Sequence, residues 1–299
     1  MQRDLDERID TAVANLAGIR STAKGLRKWL TGAFLETPTL RPLKNFLNGT
    51  WLEHPLHPVL TDVPIGAWTT AMVLDIATAV FGARNLGKAS GIAIGIGVLG
   101  ASGSIATGMM DFTDTDEPED SMIFTHALVN AAATLLFTTS YVLRQRNNWR
   151  TEPSHVALSL LGYAAVTFGG FLGGSLVYRR GVMVNRNAYR ATPKDFTPAI
   201  ALAELPEDKP TRVEVQGEPI LFVRRGERVY AVGAVCSHYG GPLEKGKLNG
   251  TTVECPWHYS VFSIRDGRYL RGPTTSPLPL YETRVHSGQV HVKLQQRQN

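Results

Sequence analysis

The chain has 299 residues, of which 43% are hydrophobic, with a formal net charge of +5 and two cysteines. That length exceeds a single small domain and suits two domains of ordinary size. A mean hydropathy of −0.08 points on its own to a soluble protein, but the average conceals two unlike halves.

The N-terminus, MQRDLDERID, is charged, and no apolar stretch of the kind found in a secretory signal follows it, so the chain is expected to start in the cytoplasm. Residues 1–50 form a first segment in which Ile9, Val13, Leu16, Ile19, Ala23, Leu26 and Leu30 recur at helical spacing. Lys24, Arg27, Lys28 and Trp29 crowd the end of that stripe. The pattern suits a basic amphipathic helix on an anionic lipid face, and equally a helix docked on protein.

Residues 51–181 carry four apolar runs, Val59–Phe81, Leu86–Met110, Met122–Leu143 and Val156–Tyr178. At about 1.5 Å per residue each can cross a hydrocarbon core of about 30 Å. The intervals GARN, DFTDTDEPED and RQRNNWRTEPS hold the charges and turn formers. The expectation is an all-α four-helix transmembrane bundle, hence a multi-pass protein of the cell membrane in contact with lipid. Four crossings put both termini on one side. That side has seven basic residues near helix ends (Arg41, Lys44, Arg179, Arg180, Arg186, Arg190, Lys194) against five on the other (Arg84, Lys88, Arg144, Arg146, Arg150). The bias favours a cytoplasmic C-terminal domain.

Residues 182–200 are polar, contain two prolines and read as a linker. Residues 201–299 read as all-β. Gly226-Glu227, Asn249-Gly250, Asp266-Gly267 and Ser287-Gly288 each separate short alternating strands, as in a small sandwich or barrel.

Within that domain, Cys236-x-His238 and Cys255-x-x-His258 place two Cys and two His on two loops. The set serves a tetrahedral zinc, or a 2Fe-2S centre with Cys on one iron and His on the other, and spacing alone leaves both open. The flanks CSHYGGPL and CPWHYSVF, followed by DGRYLRGP and SPLPLYE, resemble the Rieske ferredoxin family over roughly residues 200–294. The resemblance implies Cys236 and Cys255 as thiolate ligands of the inner iron, and His238 and His258 as imidazole ligands of the outer one. It implies a potential within about −150 to +300 mV. Rieske proteins of cytochrome bc-type complexes have a further cysteine in each loop; Gly241 and Trp257 stand there in this chain, which suits a reducing compartment. Ser260 occupies the place of a hydroxyl donor to a cluster sulfur, and Phe262 the place of a second, tyrosine donor, so the lower or middle part of the range is expected. Tyr259 stands where glycine is common. Folded iron-sulfur domains usually need a twin-arginine signal ahead of the helix that precedes them if they are exported, and Arg179-Arg180 follows that helix. Only 41 residues follow His258, too few for the catalytic domain of a Rieske oxygenase, so an electron carrier is expected.

The membrane half resembles a family of four-helix bacterial domains of uncharacterised function, through HPLHPVLTDVPIGAW, GMMDFTD and THALVNAAATLLFTTS. His57 and His126, near the starts of the first and third helices, fall at similar depth on the side of the termini. Three readings stand open: axial ligands of a haem b, a metal site of His54, His57, His126 and Asp111, or helix capping and backbone bonding. Asp75 lies mid-helix and must face the bundle or a protonatable path, which makes it a candidate for proton or quinone chemistry. Gly95-x-Gly97-x-x-Gly100 matches a dinucleotide fingerprint but sits in an apolar run with no preceding strand, so it reads with Gly91 as small-residue helix contacts; Gly169 and Gly173 read the same way.

The expected function is membrane-bound electron transfer through the Rieske cluster, exchanging electrons with haem b or quinone. The alternative is a Rieske ferredoxin merely anchored by the bundle and serving a separate oxygenase or reductase. No nucleic-acid partner is expected. Asp114, Asp116, Glu117, Glu119 and Asp120 would surround a landing site for the head, steered by Lys245, Lys247 and Arg271.

Overall fold

The computed structural model describes residues 5–16, 18–83, 86–115 and 117–295. The chain divides into two compact units, one of Met1–Arg41 with Leu56–Val182, the other of Pro42–Pro55 with Met183–Asn299.

In the first unit the N-terminal stripe is two helices, α1 (Leu5–Asn15) and α2 (Ile19–Leu30), because Gly18 takes a left-handed φ of 84° between them. Ala23 and Leu30 of α2 are fully buried. Arg27 lies 2.8 Å from the Asp120 carboxylate and donates to Thr115 O at 3.2 Å. Of the two readings of this stripe, the helix docked on protein is therefore the one seen, although Trp29 at its end is exposed. The same contact corrects the acidic landing site: Asp114 and Asp120 are buried, and Asp120 is neutralised by Arg27. Asp116 and Arg84 lie outside the described residues.

Four helices are long and apolar enough to cross a membrane. They are α4 (Leu56–Phe81), α5 (Gly87–Phe112), α6 (Glu117–Arg146) and α7 (Pro153–Gly174), the last extended by a wide turn over Ser175–Arg179; the short α3 (Arg41–Asn48) lies, from Pro42 on, in the second unit. Their packing is the reverse of a water-soluble bundle. Large apolar side chains such as Leu99, Leu135 and Leu161 point outward, while glycines line the contacts. A Cβ at Gly97 would come within 2.2 Å of the Trp68 indole, and one at Gly100 within 2.6 Å of Val63. Small residues that let helices approach, under an apolar exterior, are what lipid selects. The glycine fingerprint is thus a helix contact.

Arg144 corrects the sequence reading. It is not a loop charge; its side chain is inside the bundle, where Nη2 pairs with Asp75 at 2.6 Å and Nε donates to Ser140 Oγ at 3.1 Å. Ser90 Oγ donates to the other Asp75 oxygen at 2.6 Å. Asp75 faces the bundle, as expected, and there it is paired with a buried guanidinium. Replacing one partner strands a buried charge, so Asp75→Leu is expected to cost about 3–5 kcal/mol. Denaturant titration in detergent should show this, with Asp75→Leu/Arg144→Leu recovering most of the loss.

In the second unit a six-stranded sheet has the order β1-β10-β9-β4-β3-β2 and a four-stranded one the order β5-β6-β7-β8. The strands are β1 (Thr197–Ala201), β2 (Thr211–Val215), β3 (Glu218–Arg225), β4 (Arg228–Gly233), β5 (Lys247–Asn249), β6 (Thr252–Glu254), β7 (Val261–Ser263), β8 (Tyr269–Arg271), β9 (Leu280–His286) and β10 (Gln289–Leu294). The four expected turns all join antiparallel neighbours. A fifth, Gln216-Gly217 between β2 and β3, escaped the sequence reading; both residues have positive φ, 53° and 79°.

The stretch read as a linker is largely fixed to this unit. Thr197–Ala201 is a strand paired with β10, Arg186 N donates to Ser237 O at 3.2 Å, and Asn187 Nδ2 donates to Val235 O at 2.8 Å. Residues 42–55, read as the end of the N-terminal segment and the start of the membrane domain, also pack here. In α3 (Arg41–Asn48) the buried Lys44 Nζ donates to Asn48 Oδ1 at 2.9 Å, and further on Thr50 O accepts from the Tyr269 hydroxyl at 3.1 Å.

Candidate metal centre

Two loops of the second unit, one between β4 and β5 and one between β6 and β7, close in the same way. Cys236 N donates to Gly241 O at 2.9 Å and Gly240 N to Cys236 O at 3.0 Å. In the other loop Cys255 N donates to Ser260 O at 2.8 Å and Tyr259 N to Cys255 O at 3.2 Å. The fifth residue of each turns through positive φ, 86° at Gly240 and 64° at Tyr259. That explains why glycine suits the Tyr259 position: the left-handed region is open to it without steric cost.

Both cysteines are buried and reduced. The two thiols share a hydrogen bond, which with burial pushes Cys236 up; the same bond, aided by the N–H groups of Trp257 and His258, brings Cys255 down to about 7. Backbone N–H groups of His238 and Tyr239 point at the Cys236 sulfur in turn. The close approach of the loops requires Gly241, where a Cβ would lie 2.6 Å from Cys255 Sγ. Phe262 is buried in the same core as both cysteines.

His238 and His258 sit together, their ring centres 5.2 Å apart and nearly perpendicular. Tyr239 lies against both, with the Arg186 guanidinium 5.1 Å over its ring. The segment after β8 is pinned to both loops. Ser237 Oγ bonds Thr274 Oγ1 at 3.0 Å, and Ser260 Oγ accepts from Thr274 N at 3.2 Å. Ser260 thus ties the second loop to the third. A cavity of about 210 Å³ beside His238 is lined also by His54, Ser237 and Thr274–Ser276. Arg271, expected to steer a partner, bonds Glu254 and Tyr259 O instead, while Lys245 and Lys247 are exposed.

In the first unit the structure brings His57 and His126 together, ring centres 6.5 Å apart. His54 belongs to the second unit. Among the described residues no three His, Cys, Asp or Glu side chains converge on a single ion.

Residues 195–282 match the Rieske [2Fe-2S] domain, and residues 53–186 the family described as predicted membrane protein (DUF2231). The anthranilate 1,2-dioxygenase ferredoxin subunit of Burkholderia cepacia is 34% identical over 104 residues, 35% of this chain and 96% of that protein. The chain belongs to the Rieske [2Fe-2S] family. The ferredoxin component of the naphthalene 1,2-dioxygenase system of Pseudomonas aeruginosa is 30% identical over 96 residues, 32% of this chain and 92% of that one. A solved ferredoxin of carbazole 1,9a-dioxygenase from Nocardioides aromaticivorans IC177 shares 28% identity, with 33% of this chain and 98% of that chain covered at a TM-score of 0.32. This Rieske protein thus carries its ferredoxin-like domain behind a four-helix membrane domain, and its named relatives are electron-carrier components.

Two substitutions probe the Rieske loops. Gly241→Ala is expected to push the loops apart and lose most of the bound iron, measured as iron per chain. Tyr259→Gly is expected to relieve about 1 kcal/mol of backbone strain, read as a higher midpoint in thermal unfolding of the loaded protein.

Proposed function

We propose that this Rieske protein is a one-electron carrier held at a membrane by its helix bundle, serving a separate oxygenase or reductase. Cys236 and Cys255 would hold one iron of a 2Fe-2S cluster, and His238 and His258 the other. The observation that supports this most is the grouping of the donors. The two sulfurs meet in the core and the two imidazoles meet beside them, with no three donors converging on one point among the described residues, as a single zinc would need. The cluster, when bound, takes up and returns one electron.

The chain's own groups set the conditions for that exchange. Backbone N–H donors at each sulfur favour the more negative, reduced state, and the absence of a hydroxyl on Phe262 leaves the potential in the lower or middle part of the family range. Ser260 holds its loop against Thr274, which keeps both loops closed over the sulfurs. Exchange with haem b or quinone was the main sequence expectation, but the relatives named as ferredoxin components of dioxygenase systems support the anchored carrier better. On this reading the bundle replaces free diffusion by confinement to the plane of the membrane. A cytoplasmic head is supported by the charge count, from which Arg144 drops out of the opposite side because it lies within the bundle.

Purified protein, reduced with dithionite, is expected to show two irons per chain and the low-average-g EPR signal of a mixed Cys and His cluster. Cys255→Ala and His258→Ala should each abolish it. A colourless protein with one zinc would sink the proposal. Phe262→Tyr is expected to raise the midpoint potential and Ser260→Ala to lower it, read by EPR-monitored redox titration.

A further inference from the structure

The burial pattern of the membrane bundle repeats itself. In α4 the buried residues are Pro64, Trp68, Ala71 and Asp75; 69 positions further on, Ala133, Phe137, Ser140 and Arg144 are buried in α6. In α5, Ser90, Ile94, Gly97, Ala101, Ser104 and Thr107 are buried; 65 positions further on, so are His155, Ser159, Gly162, Val166, Gly169 and Leu172 of α7. The offsets differ by about one helical turn, because the stretch from Arg144 to His155 is shorter than the corresponding one from Asp75 to Ser90. Side-chain types follow: Trp68-Thr69-Thr70 and Val73-Leu74 correspond to Phe137-Thr138-Thr139 and Val142-Leu143. The hairpins α4-α5 and α6-α7 are two copies of one unit.

Corresponding residues also meet. Trp68 stacks on Phe137 with ring centres 4.3 Å apart, Asp75 pairs with Arg144 at 2.6 Å, and His57 faces His126 at 6.5 Å. A residue that touches its own counterpart lies on a two-fold axis, so three layers mark one axis through the bundle.

The histidine layer is built alike on both sides. His57 Nδ1 bonds Ser104 O at 2.8 Å and His126 Nδ1 bonds Gly169 O at 2.9 Å, acceptors that are themselves 65 positions apart. A glycine makes room for each ring: a Cβ at Gly108 would lie 3.0 Å from His57 Cε1, and one at Gly173 3.1 Å from His126 Cε1. Thr107 Oγ1 is 3.4 Å from His57 Nδ1. Asn130 Nδ2 donates to His126 O at 2.8 Å and stands 3.3 and 3.5 Å from the ring nitrogens. An Nδ1–H on a backbone carbonyl fixes the tautomer whose lone pair is on Nε2, the arrangement of a metal-ligating imidazole.

We propose that His57 and His126 are the two axial ligands of a single haem iron on this axis. Metal–imidazole bonds of about 2.0–2.1 Å, with each nitrogen about 1.1 Å from its ring centre, set two opposed rings about 6.3 Å apart. The observed 6.5 Å is close to that. Among the described residues no third His, Cys, Asp or Glu joins the pair, so the ion must bring its remaining ligands with it, as the iron of a haem does. Facing helices of a bundle are a common place for such a group. The proposal is independent of the cluster in the other unit, whose EPR signal reports separately.

The test uses full-length protein purified in detergent from cells supplied with a haem precursor. One haem per chain is expected, with sharp α and β bands and a shifted Soret band on reduction. His57→Ala and His126→Ala should each abolish those bands, because one iron needs both rings, while the Rieske EPR signal remains and added imidazole restores the bands. Where an alanine variant also loses the EPR signal, His126→Met, which keeps an axial donor, is expected to retain haem with displaced bands. Protein that takes up no stoichiometric haem on titration with haemin overturns the proposal. So do two haems per chain, an alanine variant with unaltered bands, or unaltered bands in His126→Met.

Discussion

The second unit depends on the closure of two short loops by the same pair of backbone hydrogen bonds. In each, the cysteine N–H reaches the carbonyl five residues on, and the cysteine carbonyl accepts from the residue four on. That closure turns the cysteine side chain inward and brings the histidine beside its counterpart on the other loop. Four donors from residues 236 to 258 can then serve one cluster although the sheet that carries them is small. The positive φ at the fifth residue and the missing side chain at Gly241 are both consequences of how tightly the loops are drawn together.

A third segment keeps the pair closed. Ser237 and Ser260, one from each loop, both bond Thr274, so a hydroxyl or amide from the segment after β8 reaches each loop. Residues 183–187 brace the first loop from the other side through Ser237 O and Val235 O. The donors are thus held by hydrogen bonds from several parts of the unit, which limits reorganisation when an electron arrives or leaves.

The membrane unit follows the opposite packing rule. With lipid outside there is no gain in hiding large apolar side chains, so glycines and small residues form the contacts and the polar groups are paired on the inside. Asp75 and Arg144 show how far this goes: two full charges lie inside because each is paired with the other, and Ser90, Ser140 and Ser159 add hydrogen bonds to Asp75 Oδ1 and to Arg144 Nε and Nη2. The stacking of Trp68 on Phe137 puts aromatic bulk at the centre of the same contact.

The sequence by itself determined what depends on near neighbours. Hydropathy over some twenty residues marked all four spans, pairs of turn formers marked four hairpins, and the spacing of two cysteines and two histidines with their flanks marked the candidate metal centre. The repeat of Trp68-Thr69-Thr70 in Phe137-Thr138-Thr139 was also there to be read, but faint side-chain likeness stands out only once the burial of both hairpins is known. Tertiary structure decided what depends on partners far away in the chain. Arg144 is a loop charge by position and a core charge only because Asp75 lies opposite; Asp120 is an exposed acid until Arg27 reaches it. By sequence, residues 42–55 divide between the N-terminal segment and the membrane domain, and residues 182–200 look like a linker because they are polar and contain two prolines. They are part of the Rieske unit because they exchange hydrogen bonds with residues far along the chain, Thr50 O accepting from Tyr269 and Arg186 and Asn187 donating to Ser237 and Val235, and no local pattern records which segment will be near.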